Sequence, residues 1–191
     1  MSEIVESILH NIKMLCQKRK HLLIAIDGRC AAGKTTLAAH LQEACGCNVI
    51  PMDHFFLRPE QRSAERLNEP GGNVDYERFL EEVLFPIKHN KPSSYRPYDC
   101  QKQELEDAMP VKPHYINIIE GSYCCHPKFL KYYDLRVFLT VDAVEQMCRI
   151  KHRNGDIAAV QFQEKCIPLE ERYFLTFDIE ESCDLCFNTD S

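Results

Sequence analysis

The sequence predicts an α/β protein built on a parallel sheet with helices on both faces. Three observations carry this. Short continuous apolar runs alternate with stretches of helical periodicity along most of the chain. A glycine-bearing loop of fixed spacing, residues 28–35, joins the first such run to the helix after it. Acidic residues follow two later runs, at Asp53 and Glu120, and open parallel sheets place their ligands at such strand ends.

Taken in order, Ile4, Val5, Ile8, Leu9, Ile12 and Leu15 repeat at helical spacing within residues 2–20. Residues 22–26 are an unbroken apolar run and read as a buried strand. Residues 35–44 read as a helix and 48–52 as a second strand. Residues 58–73 are polar, with proline and glycine, and are expected to form a mobile loop. A helix is expected over 75–85, with Pro86 at or just past its end. Residues 93–106 read as a short strand or hairpin arm leaving the main sheet, and 115–119 and 135–141 as two more buried strands. A helix over 143–153 is expected to stop at Asn154-Gly155. Helices at 157–165 and 169–177 and a last strand at 183–187 complete the pattern. The expectation is one domain over residues 1–191, with an insertion at about 54–110 and a lid at about 149–157.

Composition narrows the functions. Hydrophobic residues make up 45% and charged residues 27%, an ordinary globular balance. A net charge of −6 argues against a nucleic acid as partner, because such proteins carry a basic face. No apolar stretch approaches a membrane span, and the start lacks the pattern of a signal peptide. With eleven cysteines, this predicts a cytoplasmic protein with reduced thiols, many buried as small hydrophobes. Cys183 and Cys186 have CxxC spacing, but no second pair lies at zinc-finger distance. A homo-oligomer is compatible with the sequence.

Gly28-Arg29-Cys30-Ala31-Ala32-Gly33-Lys34-Thr35 fits GxxxxGK[ST] between a strand and a helix, the context that motif requires. Glycines let the backbone curl so that successive N–H groups face one anion, and the helix start adds positive potential. The reading is a P-loop NTPase architecture of the nucleoside or nucleotide kinase type. Residues 28–36, through Thr36, would hold a nucleoside triphosphate, with Lys34 on its β/γ-phosphates and the Thr35 hydroxyl on Mg²⁺. Asp27, just before the loop, holds the loop, orders a metal-bound water or caps a turn.

Asp53 is the candidate general base, the carboxylate that would orient an acceptor hydroxyl and take its proton. Glu120 stands at the Walker B position and would hold Mg²⁺, through water. Arg149 and Arg153, at i and i+4, share a helix face and suit the charge on transferring phosphoryl oxygens. Lys151 and His152 read as solvated charges. Asp75, Tyr98, Asp99 and Gln103 lie on segments that could wall an acceptor pocket, although composition alone does not select them. Phe55, Phe56 and Tyr76 read as packing residues.

These segments, in this order, resemble the uridine kinase group of P-loop kinases, which includes phosphoribulokinase and bacterial pantothenate kinase. The likeness rests on Ile26-Asp27-Gly28, residues 33–38, Met52-Asp53-His54-Phe55-Phe56, Asn73-Val74-Asp75-Tyr76, Tyr95-Arg96-Pro97-Tyr98-Asp99, Glu120-Gly121 and residues 149–153. It implies an ATP- and Mg²⁺-dependent kinase with Asp53 as base, Asp75 on ribose hydroxyls, Tyr98 near the base ring, and Arg149 and Arg153 in the lid. A pyrimidine nucleoside is the leading acceptor, and pantothenate or a sugar phosphate the alternative. The sequence departs from the group at His54, at Gln103, which falls about where its nucleoside kinases place a base-reading histidine, and in a shorter basic lid. A GTPase or ATPase switch is the rival of another class. Against it, Asn90-Lys91 lacks the acid of NKxD, and Glu120-Gly121 stands where DxxG is usual.

Overall fold

The computed structural model describes residues 1–190. Helix α1 (Ser2–Cys16) precedes strand β1 (Leu22–Gly28), helix α2 (Lys34–Cys45) and strand β2 (Asn48–Pro51). A 3-10 turn, Met52–Phe55, leads through Pro59–Gln61 and helix α3 (Ala64–Asn68) to helix α4 (Tyr76–Phe79). A π-turn, Leu80–Leu84, joins α4 to α5 (Phe85–Lys88). Four short strands follow: β3 (Ser93–Tyr95), β4 (Tyr98–Asp99), β5 (Glu104–Leu105) and β6 (Met109–Val111). Then come β7 (Ile116–Glu120), β8 (Leu135–Thr140), α6 (Ala143–Gln161), α7 (Ile167–Thr176), α8 (Ile179–Ser182) and β9 (Leu185–Asn188).

The main sheet is five-stranded, ordered β2-β7-β1-β8-β9, with every pair parallel. All seven residues of β1 are buried. Its side chains alternate between two cores, as strand geometry requires. Leu22, Ile24 and Ile26 pack with α1 and α2, while Leu23 and Ala25 join the aromatic core of Phe55, Phe79 and Phe138. Two apolar faces need two helical layers, so the sheet is covered on both sides. Register then sets the site: Glu120 of β7 lies beside Ile26 of β1 and Pro51 of β2. The loop after Gly28, the Glu120 carboxylate and Asp53 therefore emerge at one end of the sheet.

Three local expectations are corrected. Residues 58–73 are hydrogen-bonded rather than free: Arg66 donates to Gly72 O (2.9 Å), Val74 O (2.9 Å) and Glu77 (2.8 Å), and α3 forms within the segment. The helix expected to end near Pro86 continues to Lys88. The wide turn before it shifts the hydrogen-bond ladder, so Pro86 falls in the first turn of α5, where a missing N–H costs little. Helix α6 does not stop at Asn154 but kinks at Gly155 (φ 82°, ψ 167°) and resumes. The arm expected at 93–106 does leave the main sheet, pairing as β3 with β6 and β4 with β5. Of the cysteines, only Cys30, Cys47, Cys124 and Cys125 are buried, and all eleven are free thiols. No helix among the described residues is long and apolar enough to cross a membrane.

Candidate active site

The phosphate loop has its shape for steric reasons. Gly28 has φ 134°, and a Cβ there would stand 2.0 Å from Leu139 O, so no side chain fits. Gly33 caps α2 at φ 89°. Lys34 folds back over the loop, donating from Nζ to Gly28 O (2.6 Å) and Arg29 O (2.9 Å). It is buried yet forms no ion pair, so its charge is uncompensated by a direct carboxylate contact. The Thr35 hydroxyl donates to Glu120 at 3.1 and 3.3 Å from the two carboxylate oxygens.

Asp53 is exposed to the cavity above the loop, with protein packed around its other sides. Burial pushes its carboxyl above the ordinary range; Lys34 opposes the shift, Glu170 adds to it, and Arg153 opposes it. Glu120 is also raised, first by burial and then by Asp53. Gly121 makes room for this pair: at φ 131°, a Cβ there would lie 3.0 Å from Met52 Cβ and 3.3 Å from Asp53 Oδ1. Behind Asp53, His54 Nδ1 shares a hydrogen bond with the Tyr95 hydroxyl (3.0 Å), and burial lowers its pKa.

Asp27 is fully buried and does not face the cavity. Its Oδ1 accepts from Gly28 N (2.7 Å) and Tyr123 N (3.2 Å), its Oδ2 from Cys125 N (2.8 Å) and Tyr173 Oη (2.9 Å). Burial pushes its pKa up to about 6, against those hydrogen bonds and Lys34. Four donors on two oxygens favour the carboxylate form. Asp27 thus ties the loop to the β7–β8 connection. Asp27, Cys124 and Cys125 bring possible ligand atoms within 4.8 Å of one another, but both Asp27 oxygens are already taken.

Four consecutive residues of α7 complete the frame. Glu170 accepts from Cys30 N (2.9 Å) and the Ser122 hydroxyl (2.6 Å). Glu171 pairs with Arg29 (2.8 Å), Arg172 reaches Leu67 and Glu69 carbonyls at the end of α3 (3.3 Å), and Tyr173 meets Asp27.

The cavity over this frame has a volume of about 1860 Å³. Ligand pockets commonly run to roughly 300–1,000 Å³, so there is room for two small molecules. Of the residues singled out from sequence, Cys30, Ala31, Gly33, Lys34, Thr35 and Thr36 line it, as do Asp53, Glu120, Gln103, Arg149 and Arg153. Gly28, Arg29 and Ala32 shape the loop from outside the cavity; the Arg29 side chain turns away, onto Glu171, Glu180 and Thr140. Arg149 is held by Glu145 (2.8 Å) and Thr189 O (2.6 Å), and Arg153 by Asn154 (2.8 Å).

Asp75 and Tyr98 are not brought to the cavity. Asp75 is 2% exposed and works as a helix cap, accepting from Arg78 N (3.1 Å) and Gln61 (2.8 Å). Tyr98 is 3% exposed, with its hydroxyl on Arg62 (3.3 Å). Both were expected on the acceptor; local capping and hairpin packing claim them instead. Asp99 likewise closes the hairpin turn, accepting from Gln101 N (2.7 Å). Phe55 and Tyr76 pack as expected, whereas Phe56 also faces the cavity. Sequence reasoning missed Arg62, Ser122, Glu170 and Arg172. Arg62 had one signal, the four-residue spacing of Arg58, Arg62 and Arg66; Glu170 and Arg172 had none.

The donor set suits a magnesium nucleotide. A hydroxyl and a carboxylate in contact, Thr35 and Glu120, are the hard oxygen ligands Mg²⁺ prefers, beside a loop whose lysine has no carboxylate partner. No family sequence model matches the chain. Among solved structures, it is similar to a possible uridine kinase from Bacillus stearothermophilus at TM-score 0.67 and 19% identity, over 95% of this chain and 99% of that one. It is also similar to phosphoribulokinase from Rhodobacter spheroides at TM-score 0.61 and 14% identity, over 88% of this chain and 70% of that one. At such identities the likeness is one of fold, and the fold of this chain is that of the P-loop kinases.

Proposed function

We propose that this protein is an ATP-dependent kinase that moves the γ-phosphate of ATP onto a hydroxyl of a small molecule. One observation carries the reading: Asp53 stands in the same cavity as the Lys34 loop and the Thr35–Glu120 pair, held beside Gly121. A hydrolytic switch needs no such carboxylate facing a second compartment.

The roles follow from the geometry. Loop amides and Lys34 hold the β- and γ-phosphates; reaching them, Lys34 exchanges its two carbonyl partners for phosphate oxygens. Thr35 and Glu120 would hold Mg²⁺, which would supply charge neutralisation on the phosphates. Asp53 orients the acceptor hydroxyl and accepts its proton as the hydroxyl oxygen bonds to the γ-phosphorus. The bond from that phosphorus to the β,γ-bridging oxygen breaks, and ADP leaves with the electron pair. A raised Asp53 pKa brings the base nearer working pH, which favours proton acceptance. Arg153 lines the same cavity, and a guanidinium there suits the charge on transferring phosphoryl oxygens.

A pyrimidine nucleoside is the acceptor that the resemblance implies. An alcohol bearing a carboxylate or phosphate is the second reading. It is favoured by the burial of Asp75 and Tyr98, the expected ribose and base contacts, while Arg62 lines the cavity. The test is ADP release with uridine, cytidine, pantothenate and ribulose 5-phosphate as acceptors. Release that rises with one class assigns it; equal hydrolysis with and without every acceptor favours the switch.

A further inference from the structure

The chain has eleven arginines, and seven form an ion pair with a carboxylate: Arg19, Arg29, Arg58, Arg66, Arg78, Arg136 and Arg149. Among the described residues, the four without one are Arg62, Arg96, Arg153 and Arg172, and three of these line the cavity. Arg96 does not; it serves two carbonyls of its hairpin, Leu105 O and Glu106 O. A guanidinium without a counter-charge beside a cleft is where an anionic ligand gains most.

Arg149 reaches the phosphate loop at Ala31 O (3.4 Å), and Arg153 follows it one turn on along α6. Arg62 and Arg172 lie elsewhere, at either side of α3. Arg62 donates from Nε and Nη2 to one carbonyl, Leu57 O (3.0 and 2.9 Å), and from Nη2 to Tyr98 Oη (3.3 Å), which leaves Nη1 free of protein partners. It lines the same cavity as Asp53 and Cys100. Arg172 makes only long bonds, to Leu67 O and Glu69 O (3.3 Å) and Asn68 Oδ1 (3.4 Å), and its Nε is buried without a partner. Both groups are anchored by neutral atoms, so their positive charge stays available.

Resting on the phosphotransfer reading, the geometry points to an acceptor that carries a negatively charged group, a carboxylate or a phosphate, besides the hydroxyl that reacts. Arg62 and Arg172 hold that group and so turn the hydroxyl toward Asp53. A neutral nucleoside gains nothing from either guanidinium, whereas an anionic group pairs with both.

The test uses the whole protein saturated with Mg²⁺ and a non-hydrolysable ATP analogue, so that the phosphate loop is filled. Inorganic phosphate, acetate and uridine are titrated in by ligand-observed NMR. Wild type is expected to bind one or both anions. Arg62→Gln and Arg172→Gln should each weaken that binding about tenfold or more, with analogue affinity and melting temperature retained. Arg62→Lys, which keeps the charge, should retain most of it. A preference for inorganic phosphate identifies a phosphorylated alcohol, and a preference for acetate a hydroxy acid. No binding of either anion, or equal binding by the glutamine variants, overturns the inference. Uridine-stimulated ADP release together with either of those results leaves the phosphotransfer reading intact. Anion binding through both arginines, in a protein whose ATP hydrolysis no hydroxyl compound raises, removes the phosphotransfer reading and the acceptor role together.

Discussion

Gly121→Ala perturbs the point where the fold and the chemistry meet. The new methyl would lie 3.0 Å from Met52 Cβ, 3.3 Å from Asp53 Oδ1 and 3.4 Å from Met52 N. The backbone there has φ 131°, which L side chains rarely adopt. Holding a non-glycine residue in such a region costs about 1–3 kcal/mol. Moving the packed neighbours costs about 1–3 kcal/mol more. A stiffer unfolded chain returns at most about 1 kcal/mol. The net loss is on the order of 2–5 kcal/mol, or a fall in melting temperature of ~5–15 °C for a chain of this size. Gly46→Ala is the control: φ is 65° there, and a Cβ would meet nothing within 4 Å, so only the backbone cost applies. Differential scanning calorimetry reads both. The alanine must also displace Asp53, and a misplacement of about 1 Å can cost a hundredfold in turnover. A Gly121→Ala protein that melts no lower than Gly46→Ala refutes the steric reasoning.

Four further outcomes are expected. Asp53→Asn should cut acceptor-dependent turnover by about 10²–10⁴-fold while an ATP analogue still binds. Wild-type turnover should fall with acid at a pH above the ordinary aspartate range, because the base must be ionised and its folded pKa is raised; Asp53→Asn should lose that limb in a pH–rate profile. Glu170→Ala leaves Cys30 N and the Ser122 hydroxyl without their acceptor and should cost about 1–3 kcal/mol by chemical denaturation, whereas Glu170→Gln, keeping one oxygen, should cost less. Chelating Mg²⁺ should weaken ATP-analogue binding in wild type by calorimetry, and Thr35→Ala should blunt that effect.

The layout of the fold was readable because β1, β7 and most of β8 are largely apolar runs. The P-loop, Glu120 and Asp53 were readable because parallel pairing of β1, β7 and β2 delivers their carboxyl ends to one edge. Residues set by tertiary contact were not readable. Asp75 looks like an acceptor ligand in the chain but is claimed by Arg78 N and Gln61, a cap formed after a turn that spacing does not reveal. Glu170 lies 140 residues from Cys30, and nothing local marks it. Helix α6 passes Gly155 because a glycine at positive φ can kink a helix as well as end it.

The most direct measurement follows the label of [γ-³²P]ATP incubated with the protein and a protein-free extract of its source cells. Transfer of label into a phosphate ester of an alcohol, strongly reduced in Asp53→Asn, is the predicted result. Label appearing only as inorganic phosphate, at one rate with and without the extract, would contradict it.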